Sequence, residues 1–595
     1  MKWKQMTATL LAVSMAAGVM TGCGSSSQTT GVGTEASQTT QETTTAQESA
    51  QETAQTDQAE AATAEEGAGT EAFDPKTITD GVKLTIAVPA DAMVEDYNTN
   101  EMTLAIEEAL GVDLEFSAYP AADYETKLNV MAMSGEKLPD IMFNPGSTAY
   151  LGWAEEGAII SLNEFYENKD LSSNFWAASE DFDMDLYSLM KDAEGQVYYL
   201  PASQQNYGQM VSQKLWIYEP WLDAIGAEVP ETVDDFYEIC KQIASTDLNG
   251  NGKQDEIPLT GYGFTTGGND GWFKELMSAY IYAWGLNYLV ADDGQLGFAY
   301  TSDEWKEGLK SIKRFFDDSL IPIETLTQDN AQYEAVWKSE GDVKLFSFVF
   351  FSMGGTNVER KAEYLYVPAL TIPGGEKNVA YYLPTVPSPG AVISADCENP
   401  EAAFLVCDYM LSEEMSITNR FGKRGVDWDY WNEAKVDDKS VYAPSFEGYD
   451  ISFIAYDDVG FFSSQKPQNV AYVQKGPFLI SANVSNGSAK KVSTNTQEEK
   501  WSAEATKRGN DAVLDCMTRI PDEVVSRLVL TPEENEAASD IQTSLNTYFY
   551  EATCDFLVGE KDIDSEWDSY LSELEKIGYQ ELLGIYQGAY DRIYQ

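Results

Sequence analysis

Beyond residue 81 the apolar and polar positions change period several times. Val82, Leu84, Ile86 and Val88 alternate with less apolar neighbours, the period-2 pattern of a strand. Met102, Leu104, Ala105, Ile106 and Leu110 then share a helical face; Asn98 with Glu101 three residues on has the spacing of a capping box, and the segment closes before Gly111. Alternation returns at Val112, Leu114 and Phe116. Tyr124, Leu128 and Met131 follow at i, i+4 and i+7, and Pro139 introduces a short buried strand from Asp140 to Phe143. Strands alternating with amphipathic helices predict an α/β fold with a parallel sheet covered on both faces. Ligands of open α/β sheets bind beyond the carboxyl ends of strands, which makes the polar segments after Val88 and Phe143 cleft candidates. Further on, Thr232 predicts a helix start, with Val233, Phe236, Ile239 and Ile243 on one face. Near the end Trp567, Tyr570, Leu571, Leu574 and Ile577 recur at helical spacing and are read as core packing.

Length and charge narrow the function. The 595 residues exceed what one hydrophobic core organises, which predicts at least two lobes. Against 38 Lys and Arg stand 98 Asp and Glu, a formal net charge of −60, so the clustered cations that neutralise phosphates are missing and nucleic acid is not expected as a partner. The chain has no His, which removes Ser-His-Asp triads, Cys-His pairs and imidazole-ligated zinc. There is no Walker A pattern, and Gly261-Tyr262-Gly263 lacks the spacing of a dinucleotide fingerprint.

The first residues read as an export signal. Lys2 and Lys4 precede an apolar, small-residue stretch from Met6 to Met20 that is too short for a comfortable membrane span. Met20-Thr21-Gly22-Cys23 resembles a bacterial lipobox, with Met20 where that pattern has Leu or Val. Residues 1–22 are therefore expected to be a lipoprotein signal peptide, and Cys23 the lipid-bearing residue that anchors the protein on the extracellular face of the cell membrane. Residues 23–75 form an acidic spacer rich in Ser, Thr, Gln and Ala, which cannot offset chain entropy by burial and is expected to be disordered. Such a tether reaches about 40 Å. The remaining cysteines, Cys240, Cys397, Cys407, Cys516 and Cys554, are scattered and odd in number, and read as small core residues.

One motif stands on its own chemistry. Asp247, Asn249, Asn251 and Asp255 occupy positions 1, 3, 5 and 9 of an EF-hand-like loop with Gly252 at position 6 and the Lys253 carbonyl at position 7, a set of hard oxygen donors suited to Ca2+. Position 12 is Pro258 in place of the usual bidentate Glu, so Glu256 has to complete the shell. The competing reading is an Asn-Gly-rich turn whose carboxylates face water.

Several segments carry a family resemblance. Lys127-Leu128-Asn129-Val130-Met131-Ala132 and Gly135-Glu136-Lys137-Leu138-Pro139-Asp140 are similar to the extracellular solute-binding proteins of bacterial carbohydrate ABC importers. Leu215-Trp216-Ile217, Trp221-Leu222-Asp223 to Gly226, Val229-Pro230-Glu231-Thr232, Leu530-Thr531-Pro532-Glu533-Glu534, Trp567-Asp568-Ser569-Tyr570 and Ala589-Tyr590-Asp591-Arg592 resemble that family's large lipoprotein branch, which carries the same calcium loop. Tyr218 and Pro220 depart from that branch's pattern, as does Gly422-Lys423-Arg424-Gly425. The resemblance implies a two-lobed, type II periplasmic-binding-protein-like fold whose lobes are joined by crossing hinge segments. It places residues 76–200 plus about 370–422 in lobe 1, and about 201–369 plus 423–595, with the loop 247–256, in lobe 2. It also implies a monomer that captures an oligosaccharide in the inter-lobe cleft for ABC permease subunits, without covalent chemistry.

A sugar offers apolar ring faces and peripheral hydroxyls, so its site needs aromatic platforms and fixed polar groups. Three clusters answer: Gln205 and Asn206 at an expected crossing; Asn269, Asp270 and Trp272 after the calcium loop; and Arg424, Asp427, Trp428 and Trp431 at an expected return crossing. Trp428 is taken as the first platform and Trp272 as the second. The acidic composition favours a neutral oligosaccharide. A cell-surface glycoside hydrolase using paired carboxylates and a peptide-binding importer component are the alternatives.

Overall fold

The first strand, Lys83–Pro89, turns Leu84, Ile86 and Val88 into a core, as its alternation predicts. It pairs in parallel with Asp113–Tyr119 on one side and Ile141–Phe143 on the other. Ser388–Ile393 runs antiparallel to Ile141–Phe143 and to Leu200–Gln204, and Phe478–Ile480 adds an edge parallel to Leu200–Gln204. Five of the six strands in this sheet therefore point one way, with Pro89, Tyr119, Phe143, Gln204 and Ile480 at a shared carboxyl edge. The computed structural model that shows this describes residues 73–594 apart from positions 183, 267–269, 339–340, 352–356, 376–378, 457–465 and 493. The expected signal peptide, Cys23 and nearly all of the expected spacer lie outside the described residues.

Helix Glu101–Leu110 ends at Gly111 in the left-handed region, as expected, but begins differently. Asn100 caps it by accepting from the Met102 amide at 3.0 Å. Asn98, expected in that role, instead bonds both the amide and the carbonyl of Phe116 in the neighbouring strand. A side chain that satisfies strand backbone is unavailable to a helix start, which is why the capping-box spacing misplaced the cap.

The second sheet is mixed, with Tyr364–Val367, Lys214–Tyr218, Leu345–Phe350 and Ile257–Leu259 in that order. Lys214–Tyr218 runs antiparallel to both its neighbours, and Ile257–Leu259 runs parallel to Leu345–Phe350. Helix Val233–Ala244 starts at Thr232 with a capping box closed by Asp235, and buries Phe236, Ile239 and Ile243. Trp567, Tyr570 and Leu574 of helix Ile563–Ile577 join Trp216 and Phe348 in one apolar core, so the tail aromatics are packing, as read. The five later cysteines are unpaired, and no described helix is long and apolar enough to cross a membrane.

Segments 205–213 and 368–387 connect the two sheets, and 481–496 leads from the first sheet to helix Gln497–Met517. Each leaves or enters the first sheet at its shared carboxyl edge. In the second sheet Lys214 pairs with Phe350, and Leu215 with Val367, so the first two connections arrive where Leu345–Phe350 and Tyr364–Val367 end. Two carboxyl edges thus meet at the junction, the position in which open α/β sheets bind ligands. The return crossing expected near 424–431 is not one. Trp428 and Phe453 pack with Ala202, Phe478 and Ile480, so the chain stays on the first sheet until it leaves after Ile480. The apolar run Phe478–Ile480 continues that sheet and holds part of the span expected in lobe 2 on the other side of the junction.

Candidate functional site

A cavity of about 590 Å3 opens at this junction, within the range of small-molecule sites of roughly 300–1,000 Å3. Its walls are built from strand ends and crossings: Gln213 immediately precedes Lys214–Tyr218, Tyr262 follows Ile257–Leu259, Phe350 ends its strand, and Tyr381, Tyr382 and Leu383 come from the second crossing. The Leu383 amide donates to Met210 O at 2.7 Å, tying that crossing to the first. Leu286 and Leu383 are 39 % and 51 % exposed and mark the mouth.

The remaining wall comes from helix Gly271–Ser278 and the turn after it. Asp270 and Lys274, four residues apart, form an ion pair at 3.2 Å. Tyr288 donates its hydroxyl to Asp270 Oδ2 at 3.0 Å, and burial, reinforced by that carboxylate, holds its phenol far above its ordinary value. The Lys274 ammonium lies 4.9 Å from the Tyr288 ring centre and 5.6 Å from that of Trp284. Asn287 and Tyr288 both adopt the left-handed region, at φ 52 and 60, a costly pair of conformations for side-chain-bearing residues that turns the chain sharply at the wall. Trp284 meets Tyr381 edge to face, with ring centres 4.9 Å apart. Two buried polar atoms in this wall lack a hydrogen-bond partner: Trp284 Nε1, a donor, and Gln213 Oε1, an acceptor. An orphan of this kind costs about 1–3 kcal/mol.

The carboxyl edge of the first sheet carries a polar network. Gln204 Oε1 accepts from Arg420 at 2.6 Å and from Gln474 Nε2 at 3.2 Å, and Gln204 Nε2 donates to Ser485 Oγ at 2.9 Å. Asn144 Oδ1 accepts from the Gly476 amide at 2.7 Å, and Lys475 pairs with Asp91 at 3.3 Å.

The residues proposed from sequence separate sharply. Asp270 lines the cavity. Asn206 lies on the crossing, where it donates to Ser485 Oγ at 3.2 Å and caps the turn Tyr207–Met210. Gln205, one residue past the strand Leu200–Gln204, is buried and accepts from the Ala482 amide at 3.3 Å, whereas Gln204 is partly exposed at the strand's end. Asn269 lies outside the described residues. Trp272 is buried among Phe264, Phe273 and Phe316, because its helix is covered on nearly every side. Trp428 has no exposed surface and donates its indole N–H to Gly422 O at 2.9 Å. Neither tryptophan is a platform, which corrects the reading. Arg424 is held by Glu414 and Glu433 over the Tyr430 ring, Asp427 accepts from the Lys423 amide at 2.7 Å, and Trp431 packs on Tyr442. None of these three lines the cavity. Gln213, Lys274, Trp284, Tyr381 and Tyr382 were not anticipated. The Asp270–Lys274 spacing was the one available signal, since the others sit in segments without periodicity.

The loop 247–256 folds around its own oxygens. Asp247 accepts from the Gly252 amide, Asn249 from Asn251 and Asn251 from Lys253, at 2.9–3.0 Å, with Gly250 and Gly252 in the left-handed region. Hydrogen bonds from Asn251 and Asn249 hold the Asp255 carboxyl down at about 2. Glu256 Oε1 accepts from the Leu248 and Asn249 amides, while its Oε2 is buried without a partner. Among the described residues no three Cys, Asp or Glu side chains are gathered into a metal cluster. The loop's donors are three carboxylates and two amide oxygens, all hard, and the orphaned Oε2 of Glu256 fits a cation better than it fits an apolar neighbour.

Comparison with known proteins places the chain. Residues 81–417, more than half of its length, match the family model of bacterial extracellular solute-binding proteins, and the chain belongs to that family. It is similar to the fructooligosaccharide ABC transporter substrate-binding protein FusA of Streptococcus pneumoniae serotype 4, at 26 % identity over 511 residues that cover 84 % of this chain and 88 % of that one. Among solved structures it is similar to an extracellular solute-binding protein from Bifidobacterium longum subsp. infantis, with a TM-score of 0.67 and 20 % identity over 87 % of this chain and 99 % of that one. It is also similar to an EF-hand mutant of S. pneumoniae FusA in complex with fructo-nystose, with a TM-score of 0.59 and 23 % identity over 86 % and 99 %. These likenesses give the fold as the two-lobed, type II periplasmic-binding-protein arrangement.

Proposed function

We propose that the chain is the substrate-capture component of an ABC importer and holds a neutral oligosaccharide in the cavity at the crossings that join its lobes, without covalent chemistry. The observation that carries this is a cavity walled by the aromatic rings of Tyr262, Trp284, Phe350, Tyr381 and Tyr382, with the polar side chains of Gln213, Asp270, Lys274 and Asn287 among them. A hydroxyl both donates and accepts, and a sugar ring offers an apolar face to the aromatics. The ion pair of Asp270 with Lys274 leaves the wall without net charge, which suits a neutral ligand better than a uronate or a peptide terminus. Among the described lining residues Asp270 is the single carboxylate, one short of the pair that glycoside hydrolysis uses. The likeness to FusA makes fructooligosaccharides the first ligands to try.

The first lobe in this reading comprises the six-stranded sheet with residues up to about 491, and the second the four-stranded sheet with the helices from Gln497 on. Asp247, Asn249, Asn251, Asp255 and Glu256, with the Lys253 carbonyl, would hold Ca2+, whose role is to cross-link the loop. The lipid on Cys23 would tether a monomer at the extracellular face, beside the permease subunits it serves. Calorimetric titration with neutral fructo-, gluco- and galacto-oligosaccharides, with peptides as the opposing arm, tests the reading. Saturable heat from a sugar series that Trp284→Ala weakens at least tenfold is expected. Binding of peptides alone, or new reducing ends released from a sugar, would overturn it.

A further inference from the structure

Residues 520–531, between helices Gln497–Met517 and Pro532–Leu557, cross the molecule without helix or strand. A segment with no ladder is positioned by its few side-chain anchors, and this strap has contacts on three sides. Val524, Val525 and Ser526 line the cavity. The very next residue, Arg527, reaches out of the second lobe: its NH1 donates to the carbonyl of Leu189, in helix Leu186–Met190 of the first lobe. The same guanidinium stands against the hydroxyls of Tyr150 and Tyr199, both buried in the first lobe's core, and its charge works against the rise that burial imposes on their phenols. On the third side the Tyr594 hydroxyl bonds Ser526 Oγ at 2.8 Å and takes the Arg527 amide at 3.3 Å, so the last helix backs the strap.

We infer that Arg527 is a positioning residue for ligand binding. By fastening the strap to the first lobe, it makes the wall Val524–Ser526 follow the relative position of the two lobes. This rests on the cavity being the ligand site. When the lobes part, the bond to Leu189 breaks and the wall relaxes; when they close on a ligand, Arg527 locks the wall behind it. Arg527 touches no ligand itself, and its effect falls on the rate of release more than on capture. A guanidinium spans one carbonyl and two phenols at once, and an ammonium makes only part of that set.

The test compares wild type, Arg527→Ala, Arg527→Lys and Trp284→Ala in the full chain, with nystose as probe, by stopped-flow dissociation and by thermal unfolding of the ligand-free proteins. Arg527→Ala is expected to speed dissociation about tenfold with the unfolding midpoint kept within about 2 °C, and Arg527→Lys to recover part of the loss. Dissociation at the wild-type rate, or a loss matched by a fall in the midpoint, overturns the inference. If Trp284→Ala weakens binding and Arg527→Ala does not, the inference alone fails. If Trp284→Ala binds as wild type, the cavity reading fails. If nystose does not bind the wild type, hydrogen exchange of the ligand-free proteins decides: amides 520–530 are expected to exchange about tenfold faster in Arg527→Ala, and unchanged exchange overturns the inference.

Discussion

Asp270 and Lys274 stand one helical turn apart in the cavity wall and meet at 3.2 Å, with the ammonium lying over Tyr288. Both are mostly shielded from water, at 15 % and 21 % side-chain exposure. Removing one partner strands the other charge. Lys274→Met is therefore expected to cost about 2 kcal/mol, below the 3–5 kcal/mol of a fully buried pair because some water reaches it. The double variant Lys274→Met with Asp270→Asn should recover most of that loss, since neither charge remains. Urea unfolding of wild type, Lys274→Met, Asp270→Asn and the double variant measures the coupling, and additive losses would show that the pair does not act as a unit.

Trp284→Phe keeps a ring against Tyr381 and deletes the orphaned N–H. Stability and affinity should move in opposite directions. The ligand-free protein loses a buried donor with no partner and is expected to hold or gain up to about 1 kcal/mol, whereas the ligand loses a hydrogen bond and binds roughly tenfold more weakly. A variant that falls in both measures would place Trp284 in packing alone.

The fold was largely legible because it depends on period. Val82 to Val88 and the face of Val233 to Ile243 report burial through spacing, and spacing survives in a bare sequence. The site depends on adjacency between segments far apart in the chain, such as Gln213, Trp284 and Tyr381, and no local pattern encodes that. Composition misled in a specific way. Asp427-Trp428-Asp429-Tyr430-Trp431 looks like a sugar platform, yet the short strand Trp428–Tyr430 packs Trp428 into a core with Phe453, Phe478 and Ile480. Gln205, one residue past the strand Leu200–Gln204, is buried, and Gln204 at the strand's end is the partly exposed one. The loop 247–256 could be singled out because all its oxygen side chains lie within one short stretch.

Glu275 and Lys214 give the second lobe opposing pH dependences. Burial pushes the Glu275 carboxyl up to about 7, and Tyr282, Tyr366 and Cys516 all feel its charge. Between its unfolded value of 4.5 and about 7 the folded state holds the extra proton, so this group makes the protein less stable as pH rises through that window. Burial lowers Lys214 from 10.5 to about 8, so between those values the unfolded state holds the extra proton and stability rises with pH. Glu275→Gln is expected to flatten the decline between pH 5 and pH 7, a change on the order of 3 kcal/mol at most. Chemical unfolding across that range checks it, and an unaltered slope would assign the decline to other carboxyls.

The orphaned Oε2 of Glu256 predicts how the loop responds to metal. Chelator should lower the unfolding midpoint and Ca2+ restore it, by about 3 kcal/mol when the ion is at a hundredfold excess over its dissociation constant. Glu256→Gln retains an acceptor for the Leu248 and Asn249 amides but loses the charge, so its midpoint should become indifferent to both additions. A wild-type midpoint that ignores chelator would make the loop a self-satisfied turn.

Trp428 offers the sharpest contrast between a platform and a core residue. As a sugar platform it would leave the ligand-free protein intact when truncated and weaken binding. The structure predicts the reverse. The ring is fully buried, meets Tyr430 and Phe453 edge to face at 5.2 and 6.2 Å, and spends its N–H on Gly422 O. Trp428→Ala opens a cavity in the small core beside Phe478 and Ile480, where such truncations cost about 3–5 kcal/mol. It also strands the Gly422 carbonyl, while Trp284 and Gln213 keep their places in the wall. Unfolding of the variant should shift by that amount, and the fraction still folded should bind sugar with wild-type affinity. A tenfold weaker affinity at an unchanged midpoint would return Trp428 to the cleft.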